Sequence, residues 1–376
     1  MKQYINFSYN QLKTFSEDAF VKFGFTKEDA EIITDVLLTS DLYGIDSHGM
    51  QRLVRYHKSI ETGLIDIKSK PEIVFETPVS AVIDGNNGMG QVIGYNAMKL
   101  AIKKAKQSGI GIVSVRNSNH YGIAGYYANM ACKENLIGMS MTNTKAIMVP
   151  TFGKKAMLGS NPIAIAMPAK PYNFFFDSST TVVTRGKLEL YNKLEKPLPE
   201  GWAMAANGKT TSDASMVLKN ISESSGGGIL PLGGELEKTG SHKGYGYGMI
   251  CEIFSAVMSL GATSNHTYTD KKGKICHSFI AIDPAIFGDK DEIEKNLSAF
   301  LEELRNSPKA ENADRIYTHG EKEHFACIER MKNGLEIDVK TVSEMLDLCS
   351  YLGMDEEAYL GKEALSVPRQ KSNYEI

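Results

Sequence analysis

Residues 79–94 read VSAVIDGNNGMGQVIG and predict a strand, a glycine-rich turn and the start of a helix. The same order of elements opens a Rossmann nucleotide-binding unit, in which the glycines follow the spacing G-x-G-x-x-G. Here the third glycine, Gly94, comes one position too late, and the next predicted strand ends in Arg116 where an acidic residue would hold the ribose. The stretch therefore predicts an α/β fold of a non-Rossmann type, in which the glycines make a tight turn.

Apolar periodicity on both sides of this stretch predicts an α/β middle between helical chain ends. Thr26-Lys27-Glu28-Asp29 resembles a capping box and begins a helix that runs to Tyr43. Further helices are expected at 91–107, 244–260, 290–305 and 342–352, and strands at 110–115, 137–141, 163–167, 174–176 and 278–282. We expect a helical segment of residues 1–75 that packs with residues 290–360, an α/β core of residues 76–289, and a loose tail of residues 361–376.

The composition is that of an ordinary globular protein. The 376 residues carry a formal net charge of -3 and 42% of them are hydrophobic, which argues against extensive disorder and against a surface for nucleic acid. No run of about 18 apolar residues could span a membrane, and the first residues show no secretory leader, so we expect a cytoplasmic protein. The cysteines are scattered without a C-x-x-C pair, which predicts reduced thiols and no metal site: Cys132, Cys251, Cys276, Cys327 and Cys349.

The stretch Asp46-Ser47-His48-Gly49-Met50-Gln51-Arg52 carries the clearest candidate chemistry. If the segment is helical from His48 onward, the i, i+4 spacing places His48 and Arg52 on one face. An arginine can hold a carboxylate in two parallel hydrogen bonds while a histidine exchanges a proton with an oxygen on the next carbon. This arrangement suits a 2-oxo or 2-hydroxy acid, although a capping histidine and a solvated arginine would give the same string.

Further strings follow this one along the chain: Asn117–Gly122, Gly159–Pro162, Phe176–Thr181 with Arg185–Lys187, Gly228–Gly234, and His242–Gly246. Together with Asp46–Gly49 they resemble the malate/L-lactate dehydrogenase family of type 2. That family includes ureidoglycolate, sulfolactate and diketogulonate oxidoreductases and an imino-acid reductase. The resemblance spans residues 5–355. It departs at Ser178 and Ser179, where the family commonly has a small residue and a methionine, and at His319-Gly320-Glu321, where it commonly has Pro-Gly-Glu.

The resemblance implies an enzyme that transfers a hydride between NAD(P)H and a malate- or lactate-like 2-oxo or 2-hydroxy acid. It implies His48 as the proton donor and acceptor for the substrate oxygen, with Ser47 and Asp177 as its hydrogen-bonded partners. A carboxylate near the ring would raise the pKa of His48, because a nearby anion favours the charged form. Arg52 is the candidate for the substrate carboxylate. His120 competes with His48 for the acid/base role, and it is also expected to contact substrate or cofactor.

The resemblance also implies a nicotinamide dinucleotide held on a non-Rossmann α/β fold by loops from several strands, with NAD favoured over NADP. Small and hydroxyl residues at 177–181 let backbone amides approach a ribose or pyrophosphate, and a helix beginning near His242 and Lys243 suits a phosphate. Taken singly, each string is also consistent with a polar turn or a helix cap. The expected cofactor contacts are His120, Tyr121, Gly122, Thr144, Ser160, Asn161, Asp177, Ser178, Ser179, Thr181, Leu230, Pro231, Leu232, Gly233, His242, Lys243, Gly320 and Glu321.

The sequence also allows two other reactions, and it predicts a homodimer. Ser47, His48 and Asp177 also allow a hydrolase triad, but Ser47 is not in a G-x-S-x-G turn and no oxyanion-hole string accompanies it. Reduction of a cyclic imino acid is the alternative within the family. A homodimer is expected, because the helices at 26–43 and 342–352 carry more apolar positions than a small end domain hides, although both helices could instead cover the central sheet of one chain.

Overall fold

The computed structural model describes residues 3–268 and 272–369. These residues divide into two compact units, one made of the chain up to Ile67 together with the chain from Ala299 onward, and one made of Lys68–Ser298. The first unit thus contains both chain ends. Its second boundary lies after Ser298, within a helix, rather than at residue 290.

The strands of the described residues are β1 (Tyr4–Phe7), β2 (Glu72–Glu76), β3 (Ser80–Asp84), β4 (Ile110–Ser118), β5 (Ile137–Thr142), β6 (Ile163–Met167), β7 (Phe174–Ser178), β8 (Ala203–Met204), β9 (Gly228–Ile229), β10 (Ile275–Ile282) and β11 (Leu335–Asp338). The α-helices are α1 (Tyr9–Lys22), α2 (Lys27–Leu42), α3 (Leu53–Glu61), α4 (Gly90–Ser108), α5 (Ala124–Cys132), α6 (Arg185–Lys193), α7 (Ala214–Glu223), α8 (Ser241–Glu252), α9 (Lys290–Asn306), α10 (Glu321–Asn333), α11 (Val339–Leu352) and α12 (Glu356–Ala364).

The first unit is mainly helical. Helix α2 begins as the capping-box string predicts, because the Thr26 hydroxyl accepts the Asp29 N–H at 3.1 Å. Strand β1 pairs antiparallel with β11, with Tyr4 opposite Asp338, so that the two parts of the first unit share one β-ribbon. The apolar faces of α2 and α11 are buried in the folded chain. They are therefore not the exposed surfaces from which the dimer was predicted.

The second unit is built on a sheet with the strand order β2-β3-β4-β10-β5-β6-β7. Strands β3 and β4 run parallel, and every other neighbouring pair in this order runs antiparallel. Helix α4 packs against β4 and β10, and α5 packs against β5 and β6. A Rossmann sheet is mostly parallel and has a different strand order. The structure therefore confirms a non-Rossmann α/β core with a helical unit built from both chain ends.

Gly90 and Gly94 allow α4 to pack closely against neighbouring segments. A Cβ at Gly90, the first residue of α4, would lie 2.3 Å from the carbonyl oxygen of Asn119 and 2.4 Å from that of His120. At Gly94 it would lie 2.9 Å from the ring of Tyr127. The loop after β4 thus closes over the start of α4. The position where a Rossmann unit binds its phosphates is filled here by the protein's own backbone.

Three local features differ from the sequence prediction. Strand β2 lies inside the predicted helical segment, and its residues are all exposed, so it shows no alternating burial. Helix α8 begins at Ser241 and continues into a π-helical turn at Ile253–Val257. The predicted loose tail begins with ordered chain, since Ala364 and Val367 are buried; residues 370–376 lie outside the described residues.

The cysteines are free thiols, and all except the partly exposed Cys327 are buried, as predicted. None of the helices in the described ranges is long and apolar enough to cross a membrane.

Candidate active site

The segment Asp46–Arg52 lies between α2 and α3 in the first unit. It forms two short 3-10 turns, Asp46–His48 and Met50–Arg52, which Gly49 separates with an extended ψ of -141°. The condition of a continuous helix from His48 is therefore not met, and the i, i+4 argument does not place His48 beside Arg52.

A buried carboxyl group explains the break in the helix. Asp41, in the last turn of α2, is 2% exposed, and its Oδ2 accepts the Met50 N–H at 2.8 Å. In a continuous helix that N–H would bond to the carbonyl oxygen of Asp46. A Cβ at position 49 would lie 1.8 Å from Oδ1 of Asp41, so only glycine fits against this carboxyl group. Asp41 thus fixes the backbone that follows His48.

Ser47 links the candidate histidine and arginine. Its hydroxyl oxygen lies 2.9 Å from Nδ1 of His48, and its carbonyl oxygen accepts the Nε–H of Arg52 at 2.6 Å. Burial, together with the positive charges of Arg52 and Arg55, lowers the pKa of His48 to about 3. The predicted rise in this pKa is therefore wrong, since burial is the largest cause of the fall and Arg52 and Arg55 add to it. The imidazole is neutral near pH 7.

Asp177 and His120 belong to the second unit, and both lie near the start of α5. Oδ2 of Asp177 accepts the Gly125 N–H at 2.7 Å, in the first turn of α5, where the helix dipole stabilises a negative charge. His120 lies on the loop that leads from β4 into α5, and its Nδ1 accepts the Gly122 N–H at 3.4 Å. Ser47 and His48 belong to the first unit. The pairing of Asp177 with His48 stays a prediction.

Most of the predicted cofactor segments lie side by side in the second unit. Oγ1 of Thr144 accepts the Ser160 N–H at 3.0 Å, and the carbonyl oxygen of Ser160 accepts the Thr180 N–H at 2.9 Å. The carbonyl oxygen of Thr180 in turn accepts the Leu232 N–H at 2.9 Å. A Cβ at Gly244 would lie 2.3 Å from the Leu232 carbonyl oxygen, so α8 begins directly against this chain of loops. Strings that are far apart in sequence thus form one continuous surface.

The groups on this surface fit a nicotinamide dinucleotide. Ser178 and Ser179 are half-buried, and their hydroxyl groups donate to the backbone carbonyl oxygens of Ser179 and Thr181, so the hydroxyl oxygens can still accept from a ribose. His242 and Lys243 are exposed in the first turn of α8, a helix N-terminus with two basic side chains that suits a pyrophosphate. These groups are chemically compatible with a dinucleotide.

Several predicted cofactor side chains are held by the protein itself. The Tyr121 ring is buried and stacked between Tyr127 and His277, at 4.7 and 4.3 Å between ring centroids. Asn161 is fully buried and donates to the Gly248 carbonyl oxygen at 3.1 Å. The Thr181 hydroxyl donates to the Val183 carbonyl oxygen at 2.7 Å. These side chains hold the loops in place.

Gly320 and Glu321 lie in the first unit, at the start of α10. Glu321 is fully buried, and its Oε1 accepts hydrogen bonds from the Thr318 N–H at 3.1 Å and from the Thr318 hydroxyl at 2.7 Å. Arg305 and Arg315 also pair with this carboxylate. The Glu321 side chain thus holds the loop before α10. The exposed side chain here is that of His319, which stands where the family commonly has a proline.

Two buried carboxyl groups were missed by the sequence analysis. Asp41 follows Leu37 and Leu38 in the apolar part of α2, and Glu252 lies within the predicted apolar helix at 244–260. A single acidic residue in an apolar stretch is the signal that could have identified both, because a buried carboxyl group needs hydrogen-bond donors.

Comparison with known proteins identifies the family of the chain. The model of the malate/L-lactate dehydrogenase family matches residues 7–346. The malate dehydrogenase of Pyrococcus horikoshii is 43% identical over 94% of this chain and 97% of its own length. The L-sulfolactate dehydrogenase of Methanocaldococcus jannaschii is 40% identical over 91% of this chain and 96% of its own length. The crystal structure of malate dehydrogenase from Entamoeba histolytica has a TM-score of 0.91 and 38% identity, covering 94% of this chain and 99% of that one.

The family and these relatives indicate an oxidoreductase that acts on the CH–OH group of a hydroxy acid with a nicotinamide cofactor. The relatives favour hydroxy acids over cyclic imino acids. The chain belongs to the malate/L-lactate dehydrogenase family.

Proposed function

We propose that this protein interconverts a malate-like 2-hydroxy acid and its 2-oxo acid with NAD, using His48 as the acid/base. The observation that carries the proposal is the Ser47–His48–Arg52 arrangement, in which the Ser47 hydroxyl lies against Nδ1 of His48 while the Ser47 carbonyl oxygen accepts the Nε–H of Arg52. We assign the proton exchange to Nε2, the ring nitrogen opposite the one that Ser47 holds. Asp177 is proposed to act on the same proton transfer, and His120 to contact the substrate.

When bound, the nicotinamide ring gives a hydride to the carbonyl carbon or takes one from the hydroxyl-bearing carbon. In the oxidation direction His48 accepts the hydroxyl proton, and in reduction it returns that proton to the carbonyl oxygen. Arg52 holds the substrate carboxylate, and its Nε–H bond to Ser47 fixes the orientation of the guanidinium. A carboxylate on Arg52 also offsets the charge that lowers the pKa of His48, so substrate binding favours protonation of the ring.

The charges near His48 favour a substrate with two anionic groups. Arg52 and Arg55 both act on the ring electrostatically, which places two cations where a lactate-like acid would supply only one anion. The relatives named malate and L-sulfolactate dehydrogenases act on acids with a second anionic group. We therefore propose oxaloacetate and malate over pyruvate and lactate.

The cofactor contacts are proposed on the surface formed by Thr144, Ser160, residues 177–181, residues 230–233 and the start of α8. The buried Asn161 side chain supports this surface, because its Oδ1 accepts the Thr144 N–H, and the Thr181 hydroxyl holds the chain at Val183. Tyr121, stacked between two rings, is proposed to position the loop that carries His120. Gly320 and Glu321 are proposed to contribute backbone contacts, because the Glu321 carboxylate is already held by Thr318 and two arginines.

We also propose a cytoplasmic homodimer. Its interface is assigned to the exposed apolar face of residues 247–260, the apolar stripe, because large apolar side chains are exposed there in a row and are characteristic of protein contacts. The stripe comprises Tyr247, Ile250, Ile253, Val257, Met258 and Leu260, with exposures from 40% to 85%.

The experiment that tests the reaction follows reduced-nicotinamide absorbance with a panel of 2-oxo acids and both cofactors. We expect NADH oxidation with oxaloacetate to exceed that with pyruvate, and NADH to be preferred over NADPH. A protein that oxidises neither reduced cofactor with any acid of the panel would contradict the proposed reaction. A preference for pyruvate would contradict only the assignment of a second anionic group.

A further inference from the structure

Glu252 is a buried carboxylate that the proposed reaction does not use. It is the last residue of α8 and is 8% exposed. Burying a carboxylate is costly unless hydrogen-bond donors replace its water shell. The described partners of Glu252 are uncharged donors, and they come from three separate segments of the second unit.

Each oxygen of this carboxylate accepts more than one hydrogen bond. Oε1 accepts the Asn161 side-chain N–H at 2.9 Å and also the hydroxyl of Ser264. Oε2 accepts the Asn143 side-chain N–H at 3.2 Å. The Ser264 backbone N–H lies 3.3 Å from both oxygens. Asn143 follows β5, Asn161 precedes β6, and Ser264 follows the π-helical turn, so one side chain links three loops.

Two of these loops carry proposed cofactor contacts. Oδ1 of Asn161 accepts the Thr144 N–H at 3.2 Å, while Nδ2 of the same side chain donates to Glu252. Thr144 in turn receives the Ser160 N–H on its hydroxyl at 3.0 Å. The Asn161 backbone has a φ of 33°, in the left-handed region. The carboxylate is thus one hydrogen-bonded residue away from the surface on which the dinucleotide is expected to lie.

We propose that Glu252 is a positioning residue that sets the spacing of the Thr144 and Ser160 loops for dinucleotide binding. This inference rests on the proposed cofactor surface. A carboxylate is required because all its described partners are donors, and both of its oxygens accept. A glutamine of the same shape would turn an NH₂ group toward one set of donors, leaving a buried N–H without a partner and pushing the loops apart.

The test compares Glu252→Gln with wild type and with Glu223→Gln, an exposed acid at the end of α7 in the same unit. Binding of NADH is measured without substrate, by quenching of the single tryptophan, Trp202. We expect the Kd for NADH to rise roughly ten- to hundredfold in Glu252→Gln, the span set by leaving buried donors unpaired. The kcat at saturating NADH should change less than about threefold, because no reacting group is altered. Glu223→Gln should match wild type.

A Kd for NADH within about twofold of wild type, in a folded Glu252→Gln protein, would overturn the positioning role. A fall in kcat without a change in Kd would overturn it as well. If Glu252→Gln does not fold, Ser264→Ala removes one donor to the carboxylate and a several-fold weaker binding of NADH is expected; unchanged binding overturns the role. A wild-type protein that binds neither NADH nor NADPH would instead refute the proposed cofactor surface, which separates the two failures.

Discussion

Gly49 lies directly against the carboxyl group of Asp41, with the space for a Cβ occupied by Oδ1 at 1.8 Å and by Cγ at 2.1 Å. Gly49→Ala must therefore displace either the buried carboxyl group or the turn that carries His48. We expect this variant to lose about 1–3 kcal/mol of unfolding free energy, the usual cost of overpacking. Its kcat/KM should fall more than this loss of stability explains, because Ser47 and His48 move with the turn.

Thermal unfolding and steady-state kinetics measure the two effects of Gly49→Ala. Gly63→Ala is the control, since Gly63 lies in the same unit and a Cβ there meets nothing within 4 Å. Its φ of 72° costs about 1–2 kcal/mol for a non-glycine residue, without touching the site. Wild-type kcat/KM in Gly49→Ala would contradict the role assigned to this contact.

Two histidines compete for the acid/base role, and their alanine variants separate them. We expect His48→Ala to lower kcat by roughly 10²–10⁴-fold, the span for loss of a general acid, with NADH binding retained. His120→Ala should raise KM for the 2-oxo acid more than it lowers kcat. The reverse pattern would transfer the proton-exchange role to His120.

The pH dependence follows from the low pKa of His48. A ring with a pKa of about 3 stays neutral as the pH falls from 7 to 5, so it keeps its ability to accept the hydroxyl proton. The kcat/KM for hydroxy-acid oxidation should therefore show no acid limb at the ordinary histidine value of 6.5. Arg55→Gln removes one cation that lowers this pKa. The acid limb of the kcat/KM profile of this variant should therefore move to higher pH. Lys58→Gln, on the same helix, should leave the profile unchanged.

Asp177 is expected to contribute its charge as well as its hydrogen bond. Asp177→Asn keeps an oxygen for the Gly125 N–H, so the start of α5 should persist and the unfolding temperature should change little. The activity should fall and the pH–rate profile should shift, because the proton transfer loses an anionic partner. Asp213→Asn, at the N-cap of α7, is the matched control. Identical pH profiles for Asp177→Asn and wild type would remove Asp177 from the reaction.

The dimer proposal is tested by light scattering at micromolar concentration. We expect a mass of about two chains for wild type, and of one chain for Ile250→Lys or Val257→Lys, which place a charge on the apolar stripe. Leu190→Lys on α6 changes an equally exposed apolar residue outside the stripe and should remain dimeric. A wild-type mass near one chain would refute the dimer.

Local signals predicted some of the regular elements and missed others, among them α5 and α10. The strand at 163–167 was predicted with its observed bounds, and α2 begins at its predicted cap, because apolar spacing and capping are properties of a few neighbouring residues. Strand β2 has no alternation of burial and gave no such signal. The strand order of the sheet depends on pairings between distant segments, which periodicity does not encode.

The sequence motifs predicted the segments of the candidate site, but they did not predict the side chains that hold those segments in place. The family resemblance identified the segments that the structure joins through Thr144, Ser160 and Leu232. The break at Gly49 escaped prediction because it depends on a carboxyl group from the preceding helix. The pKa of His48 escaped for a similar reason, since burial and Arg55 are features of the folded chain.

The ribbon of β1 and β11 also sets an order of events during synthesis. The second unit is continuous in sequence and leaves the ribosome complete, whereas the first unit has to wait for its other half. Arg330, which bonds to the carbonyl oxygen of Asp41 and to Asp46, belongs to that late half. We therefore expect the second unit, with the proposed cofactor surface, to fold before Arg330 can secure the turn that carries His48, and we expect the nascent chain to be inactive until then.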